Sequence, residues 1–282
     1  MRQKVEGRTF DEERALYALR DADVTDCVFD GPADGESALK ESSDIRVRGC
    51  RFALRYPIWH VRGLEMSGSS MAETTRAALW YCDNVVIDSC ELGGIKALRE
   101  CNDFSISGCR IDSAEFGWKC SRIGISDSEI YSEYIFLDSH DISLDNVTMR
   151  GKYSFQYTDG LTIKDSRLDT KDAFWHSRNA VVRDSVVKGE YLGWYSENLA
   201  LINCEIIGTQ PLCYCKGLRL IGCTMRDCDL SFEYSEVDAD IRGGIDSVKN
   251  PLSGRIVADS YGDIITDGAV RDCSCEIVRR GA

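Results

Sequence analysis

The hydrophobic positions of this chain recur in a fixed frame. Each repeat opens with an apolar, any, apolar triplet, passes through a small residue and reaches a further apolar residue two positions later. Ile45, Val47, Cys50 and Phe52 make one such set, Val85, Ile87, Cys90 and Leu92 another, and Phe104, Ile106, Cys109 and Ile111 a third. The register continues at Ile123/Ile125, Ile142/Leu144, Leu161/Ile163, Leu199/Leu201 and Leu218/Leu220. Alternation with period two predicts short β-strands, not helices. Trp59, Trp80, Trp118, Trp175 and Trp194 share one column of the frame, spaced by 19 residues or a multiple of it apart from one step of 21.

Nineteen residues cannot hold a strand, a crossover helix and a return, but they suffice for three short strands joined by tight bends, which is one turn of a parallel β-helix. The expected fold is therefore all-β, a single domain over residues 1–282 with about 12 rungs. Residues 1–20 are expected to form an N-terminal cap, 21–235 the regular rungs, and 236–282 degenerate rungs and a C-terminal cap.

The strand ahead of each triplet carries the residues with chemistry. Its tryptophan column reads Lys40, Trp59, Trp80, Arg99, Trp118, and the next column reads Glu41, His60, Tyr81, Glu100, Lys119, Asp138, Tyr157, His176, Tyr195. Neighbouring strand positions point to opposite faces, and burying the second column would put more unpaired charge in a narrow core. The second column is expected to face water and the tryptophans to face inward, with Arg99 stacked between Trp80 and Trp118. Two further outward columns follow from the same alternation. One is apolar, with Leu79, Leu98, Phe136, Phe155 and Phe174; the other holds Tyr56, Lys96, Glu115, Tyr134, Tyr153 and Tyr191.

Aromatic rings among carboxylates, imidazoles and phenols suit a saccharide ligand, which offers a C–H face to stack and hydroxyls to bond. The ligand-binding set read from the pattern is Tyr56, Tyr81, Tyr134, Phe136, Tyr153, Phe155, Tyr157, Phe174, His176 and Tyr195. Glu41, His60, Glu100, Lys119 and Asp138 are the candidate catalytic residues, because they stack beside the only two insertions in the frame, Asp30–Glu36 and Ala72–Arg76. Glu100 and Asp138, two rungs apart, would stand about 9–10 Å apart along the stack, the upper end of the range for an inverting carboxylate pair. The same residues read equally as an exposed ion-pair ladder, and the aromatic stripe as a homo-oligomer interface.

Composition narrows the remaining choices. A net charge of -13 argues against a nucleic-acid partner. No apolar run is long enough for a membrane span and no signal-peptide pattern opens the chain, so a cytoplasmic location without membrane association is expected. Of the fourteen cysteines, ten fall in two repeat columns where they interchange with serine: Cys27, Cys50, Cys90, Cys109, Cys204 and Cys223 in one, Cys82, Cys101, Cys120 and Cys215 in the other. That is the mark of a small inward-facing ladder of free thiols. Their spacing gives no zinc motif, so neither metal nor cofactor is expected.

Segments such as ERALYALRDADV, DGPADGESALKE, RAALWYC, GIKALRECND, TKDAFWHS and GEYLGWYSENL resemble a bacterial family known as a domain of unknown function, with a pectate-lyase-like right-handed parallel β-helix. The resemblance covers nearly the whole chain and implies the handedness. It carries no assigned activity and hence no catalytic residue. The Asp-Asp and His-Gly dipeptides of polygalacturonase-type hydrolases are absent from the sequence, and the acidic residues do not form the calcium cluster of pectate lyases.

Overall fold

A computed structural model describes residues 2–281. They form a right-handed parallel β-helix of about 15 turns, more than the dozen expected. The excess lies at the ends, where the 19-residue frame fades but pairing continues. Gln3–Glu6 pairs in parallel with Arg20–Thr25, and Glu236–Ile241, Ser253–Ala258 and Glu276–Arg279 pair in succession. Among the described residues the only helix is the single 3-10 turn Glu73–Thr75, inside the second insertion. The chain divides into two compact units, Met1–Ser143 and Leu144–Ala282.

In the first unit the main strands Ser43–Arg48, Arg62–Ser67, Asp83–Asp88, Asn102–Ser107 and Ser121–Ser126 stack in register, Val85 opposite Leu64 and Phe104. Their apolar triplets are buried at every step and the intervening residues lie outside. A second line of short strands, among them Arg51–Phe52, Ser70–Met71, Glu91–Leu92 and Arg110–Asp112, closes another side. A third, smaller sheet consists of Ile58–Trp59, Leu79–Trp80 and Leu98–Arg99. The second unit repeats the first two lines, with Asp159–Lys164, Arg178–Arg183 and Glu197–Ile202 in one and Arg167–Asp169, Val186–Lys188 and Glu205–Ile207 in the other. Where the first unit has its small sheet, the second has turns such as those around Phe155 and Phe174.

Cysteine and serine interchange because both do the same work at the bend. Along the first ladder each backbone N–H donates to the side chain one turn on: Cys27 to Cys50 Sγ at 3.4 Å, Cys50 to Ser69 Oγ at 3.0 Å, Cys90 to Cys109 Sγ at 3.3 Å and Cys109 to Ser128 Oγ at 3.0 Å. The second ladder runs from Cys82 to Cys101 Sγ, from Cys101 to Cys120 Sγ and from Cys120 to Ser139 Oγ. The side chain thereby satisfies a backbone donor that the bend would otherwise strand inside. All fourteen cysteines are free thiols, and only Cys273 and Cys275 reach the surface.

The bends explain where the expected facing fails. Left-handed backbone recurs in at least five columns, among them Phe136–Phe155–Phe174–Leu212 and Tyr153–Asp172–Tyr191–Gln210. Two are filled mostly by residues that tolerate it: Asp26, Gly49, Gly68, Gly108, Asp127, Asn146, Asp165 and Asn203 in one, beside Ser89, and Asp44, Gly63, Asn84, Asp103, Asp141 and Asn179 in the other, beside Arg122. Another is the Glu41–His60–Tyr81–Glu100 column, where φ lies between 51° and 61° from Glu41 through Tyr214. A left-handed residue breaks strand alternation, so the positions on either side of it no longer point as in an extended strand. The column before it is therefore half-exposed, not inward: Trp59, Trp80, Arg99, Trp118, Trp175 and Trp194 are all partly accessible. The apolar column before that faces the core, with Leu79, Leu98, Phe136 and Phe155 each 0% exposed and Phe174 1%. Phe136, Phe155 and Phe174 are thus core residues, and neither a ligand nor a second subunit meets their rings on the surface.

Candidate functional site

The left-handed Glu41–His60–Tyr81–Glu100 column, with its bulky side chains, is the feature that needs a reason. For an L-residue this backbone costs about 1–2 kcal/mol, and two other columns largely avoid the cost with Asp, Asn and Gly, apart from Ser89 and Arg122. Here His60, Tyr81, Glu100 and Lys119 carry it, so their side chains must offset it. His60, Tyr81, Lys119 and Asp138 are exposed.

In the first unit the offset is polar. His60 Nδ1 lies 2.9 Å from Glu41 Oε1, so the carboxylate orients the imidazole and leaves Nε2 facing outward. The Tyr81 ring meets His60 edge to face at 5.1 Å and lies flat against Trp80 at 5.3 Å. The Tyr81 phenol is held above its ordinary pKa, first by partial desolvation and then by the neighbouring Glu100 carboxylate. Carboxylate, imidazole, phenol and carboxylate thus line up along successive turns in one connected row. Glu100 also sits 3.5 Å from Arg99 Nε. Lys119 and Asp138 continue the column without an ion pair to Glu100 or to each other, so the expected ion-pair ladder does not form.

Beside this row stands an aromatic platform. Trp59 and Trp80 stack at 5.4 Å with an interplanar angle of 11°. Lys40 Nζ lies 4.0 Å over the Trp59 ring, and Tyr56 leans against both indoles. The Arg99 guanidinium stacks on Trp118 at 5.2 Å. Tyr134 meets Trp118 edge to face, and its carbonyl accepts the Trp118 indole N–H at 2.8 Å.

In the second unit the same column is aromatic throughout. Tyr157, His176, Tyr195 and Tyr214 form a continuous stack with ring centroids 5.0, 5.1 and 5.0 Å apart. Each inner ring has both faces covered by its neighbours and offers only its edge to solvent. Trp175 and Trp194 stack beneath at 5.8 Å, and Tyr191 meets Trp194 edge to face. Tyr153 is half-buried in the adjoining column. The structure therefore brings Glu41, His60, Tyr81, Glu100 and Tyr56 together around Trp59 and Trp80, and separately gathers Tyr157, His176 and Tyr195.

The first unit also holds a cleft of about 510 Å³ that the sequence pattern does not reveal, lined among others by Met71, Glu73, Leu92, Ile95, Arg110 and Asp112. The second insertion overhangs it. Gly93 and Gly94 make this approach feasible: a Cβ on Gly93 would stand 2.4 Å from the Met71 carbonyl, and one on Gly94, at φ 103°, 2.7 Å from that of Arg76. The Gly-Gly pair one turn after an insertion was the available signal. Trp59, Trp80 and Lys40 are the other members missed by the sequence reading, because strand alternation placed their column inside. Among the described residues no group of His, Cys, Asp and Glu side chains is arranged to hold a metal ion.

A parallel β-helix with a polar and aromatic corner is the class that this geometry defines. The chain belongs to the family described as "Protein of unknown function (DUF3737)", which matches residues 3–278. No curated protein matches it. Among solved structures it is similar to PfbA, a surface adhesin of Streptococcus pneumoniae, with 8% identity and a TM-score of 0.43, over 81% of this chain and 83% of that one. It is also similar to a double mutant of the periplasmic alginate epimerase AlgG, with 11% identity and a TM-score of 0.27 over 92% and 76%. A third similarity is to the catalytic domain of a GH87 alpha-1,3-glucanase in complex with tetrasaccharides, with 8% identity and a TM-score of 0.28 over 99% and 61%.

Proposed function

We propose that the Glu41–His60–Tyr81–Glu100 row and the Trp59–Trp80 platform of the first unit bind a saccharide. The observation that carries this reading is the pairing of a row of carboxylate, imidazole, phenol and carboxylate with two half-exposed indoles in the same turns, on backbone that is costly for these residue types. The half-exposed indole edges give a sugar ring apolar contact, and the row supplies both donors and acceptors for its hydroxyls.

Binding is favoured over hydrolysis. A general acid at neutral pH needs a carboxyl group whose pKa is raised by an apolar enclosure, whereas Asp138 is exposed and Glu100 half-exposed beside Arg99. In the second unit the column from Tyr157 to Tyr214 is a stack of rings without a carboxylate, which fits a structural ladder.

A saccharide screen by calorimetry tests the proposal. His60→Ala, Tyr81→Ala and Glu100→Gln should each weaken binding about tenfold, the equivalent of about 1.4 kcal/mol, with melting temperatures close to the parent. Affinity unaffected by all three substitutions would refute it.

A further inference from the structure

Six buried side-chain nitrogen or oxygen atoms lack a hydrogen-bond partner among the described residues, and four of them lie at this one corner: Trp59 Nε1, Trp80 Nε1, Arg99 Nη1 and Glu115 Oε2. Elsewhere the same architecture satisfies its indoles. Trp118, Trp175 and Trp194 each donate to the carbonyl 16 residues on, at 2.8, 2.8 and 2.9 Å. Trp59 and Trp80 flank the two-residue lengthening of the repeat and do not make that bond. Buried polar groups without partners are rare enough in folded proteins to call for an explanation at each site.

Two of the four face each other without bonding. Glu115 Oε2 is 3.8 Å from Arg99 Nη1 and 3.5 Å from Lys96 Nζ. A well-formed guanidinium–carboxylate contact would be about 2.7–2.9 Å. The Glu115 carboxylate thus stands loosely between two cations on a half-buried side chain, while Arg99 Nε lies 3.5 Å from Glu100 on its other side. Lys40 over Trp59 and the exposed Lys119 add positive charge to the same corner of a chain whose net charge is -13.

We propose that Arg99 and Lys96 form a receptor for an anionic group on the ligand and that Glu115 occupies it when no ligand is bound. The inference rests on the saccharide reading and narrows the ligand to an acidic sugar, carrying either a carboxylate or a phosphate. The incoming anion accepts from Arg99 and Lys96, and Glu115 swings to solvent. Trp80 and Trp118 border the guanidinium, so binding changes their environment.

Titrations at low ionic strength with D-glucose, D-glucuronate and glucose 6-phosphate, read by calorimetry and by the five indole N–H resonances, test this. Either charged sugar should bind at least tenfold more tightly than glucose, and whichever does so identifies the anionic group. Glu115→Gln should raise that affinity several-fold by removing the competing carboxylate. Arg99→Gln should abolish the preference, and Lys96→Gln should reduce it, which covers the case that loss of the Arg99 stack on Trp118 harms folding. Equal binding of glucose and both charged sugars, or weaker binding by Glu115→Gln, would overturn the receptor and leave the saccharide reading standing. Failure of all three sugars to bind would remove both.

Discussion

The same left-handed column serves opposite ends in the two units. In Leu144–Ala282 it is filled by Tyr157, His176, Tyr195 and Tyr214, whose rings satisfy one another and leave only their edges to solvent. In Met1–Ser143 it holds Glu41, His60, Tyr81 and Glu100, which touch one another along the row but leave acceptors and a ring nitrogen unspent. Both solutions offset the cost of positive φ. Only the second leaves binding capacity behind, and it coincides with the two insertions, the overhung cleft and most of the unpartnered polar atoms. A repeat fold thus lets one position be structural in one region and functional in another, with the difference visible in how completely the side chains satisfy each other.

The largest expected effect tests the core that supports both columns. Phe174→Ala removes a ring that is 1% exposed and stacked on Phe155 at 5.4 Å; it should cost about 3–5 kcal/mol in chemical denaturation. A loss below about 0.5 kcal/mol would return this column to the surface.

Alkaline pH should reveal the thiol ladders next. Burial pushes the Cys215 thiol up to about 11 and that of Cys213 up to about 12, against an ordinary 9.0. The folded state therefore favours the protonated thiol. The stabilisation is complete below pH 9 and is lost as pH rises through the folded values, so unfolding free energy should fall between about pH 9 and 12, by about 2–3 kcal/mol for Cys215 alone. A flat profile over that window would show that the thiols are not sequestered.

The repeat, its strands and the cysteine–serine columns were legible in the sequence because they depend on residue size and period, which the 19-residue frame displays directly. The facing of the corner was not. Strand alternation was carried through Tyr81 and His176, where left-handed backbone interrupts it, and the error put the tryptophans inside and Phe136, Phe155 and Phe174 outside. The Asp, Asn and Gly of two other columns were the clue to left-handed bends, whereas Glu, His and Tyr concealed this one. The loose Glu115 and the unpartnered indoles could not be read at all, since they depend on distances between side chains of successive turns that the repeat frame does not display.

A smaller effect separates the two columns by stability alone. Tyr195→Gly should destabilise by about 1 kcal/mol or more, since it breaks stacks with both His176 and Tyr214. Lys119→Gly should instead stabilise by about 0.5–1 kcal/mol, because φ 54° suits glycine and no ion pair is lost. Equal destabilisation by both would mean that Lys119 has a structural partner in solution.

The most direct measurement compares ligand binding and melting temperature for Tyr81→Ala and Tyr195→Ala, the same substitution at the same position of the repeat in the two units. The account predicts that Tyr81→Ala loses saccharide affinity with little change in melting temperature, and that Tyr195→Ala lowers the melting temperature with affinity intact. Loss of affinity in Tyr195→Ala and not in Tyr81→Ala would contradict the assignment of the site to the first unit.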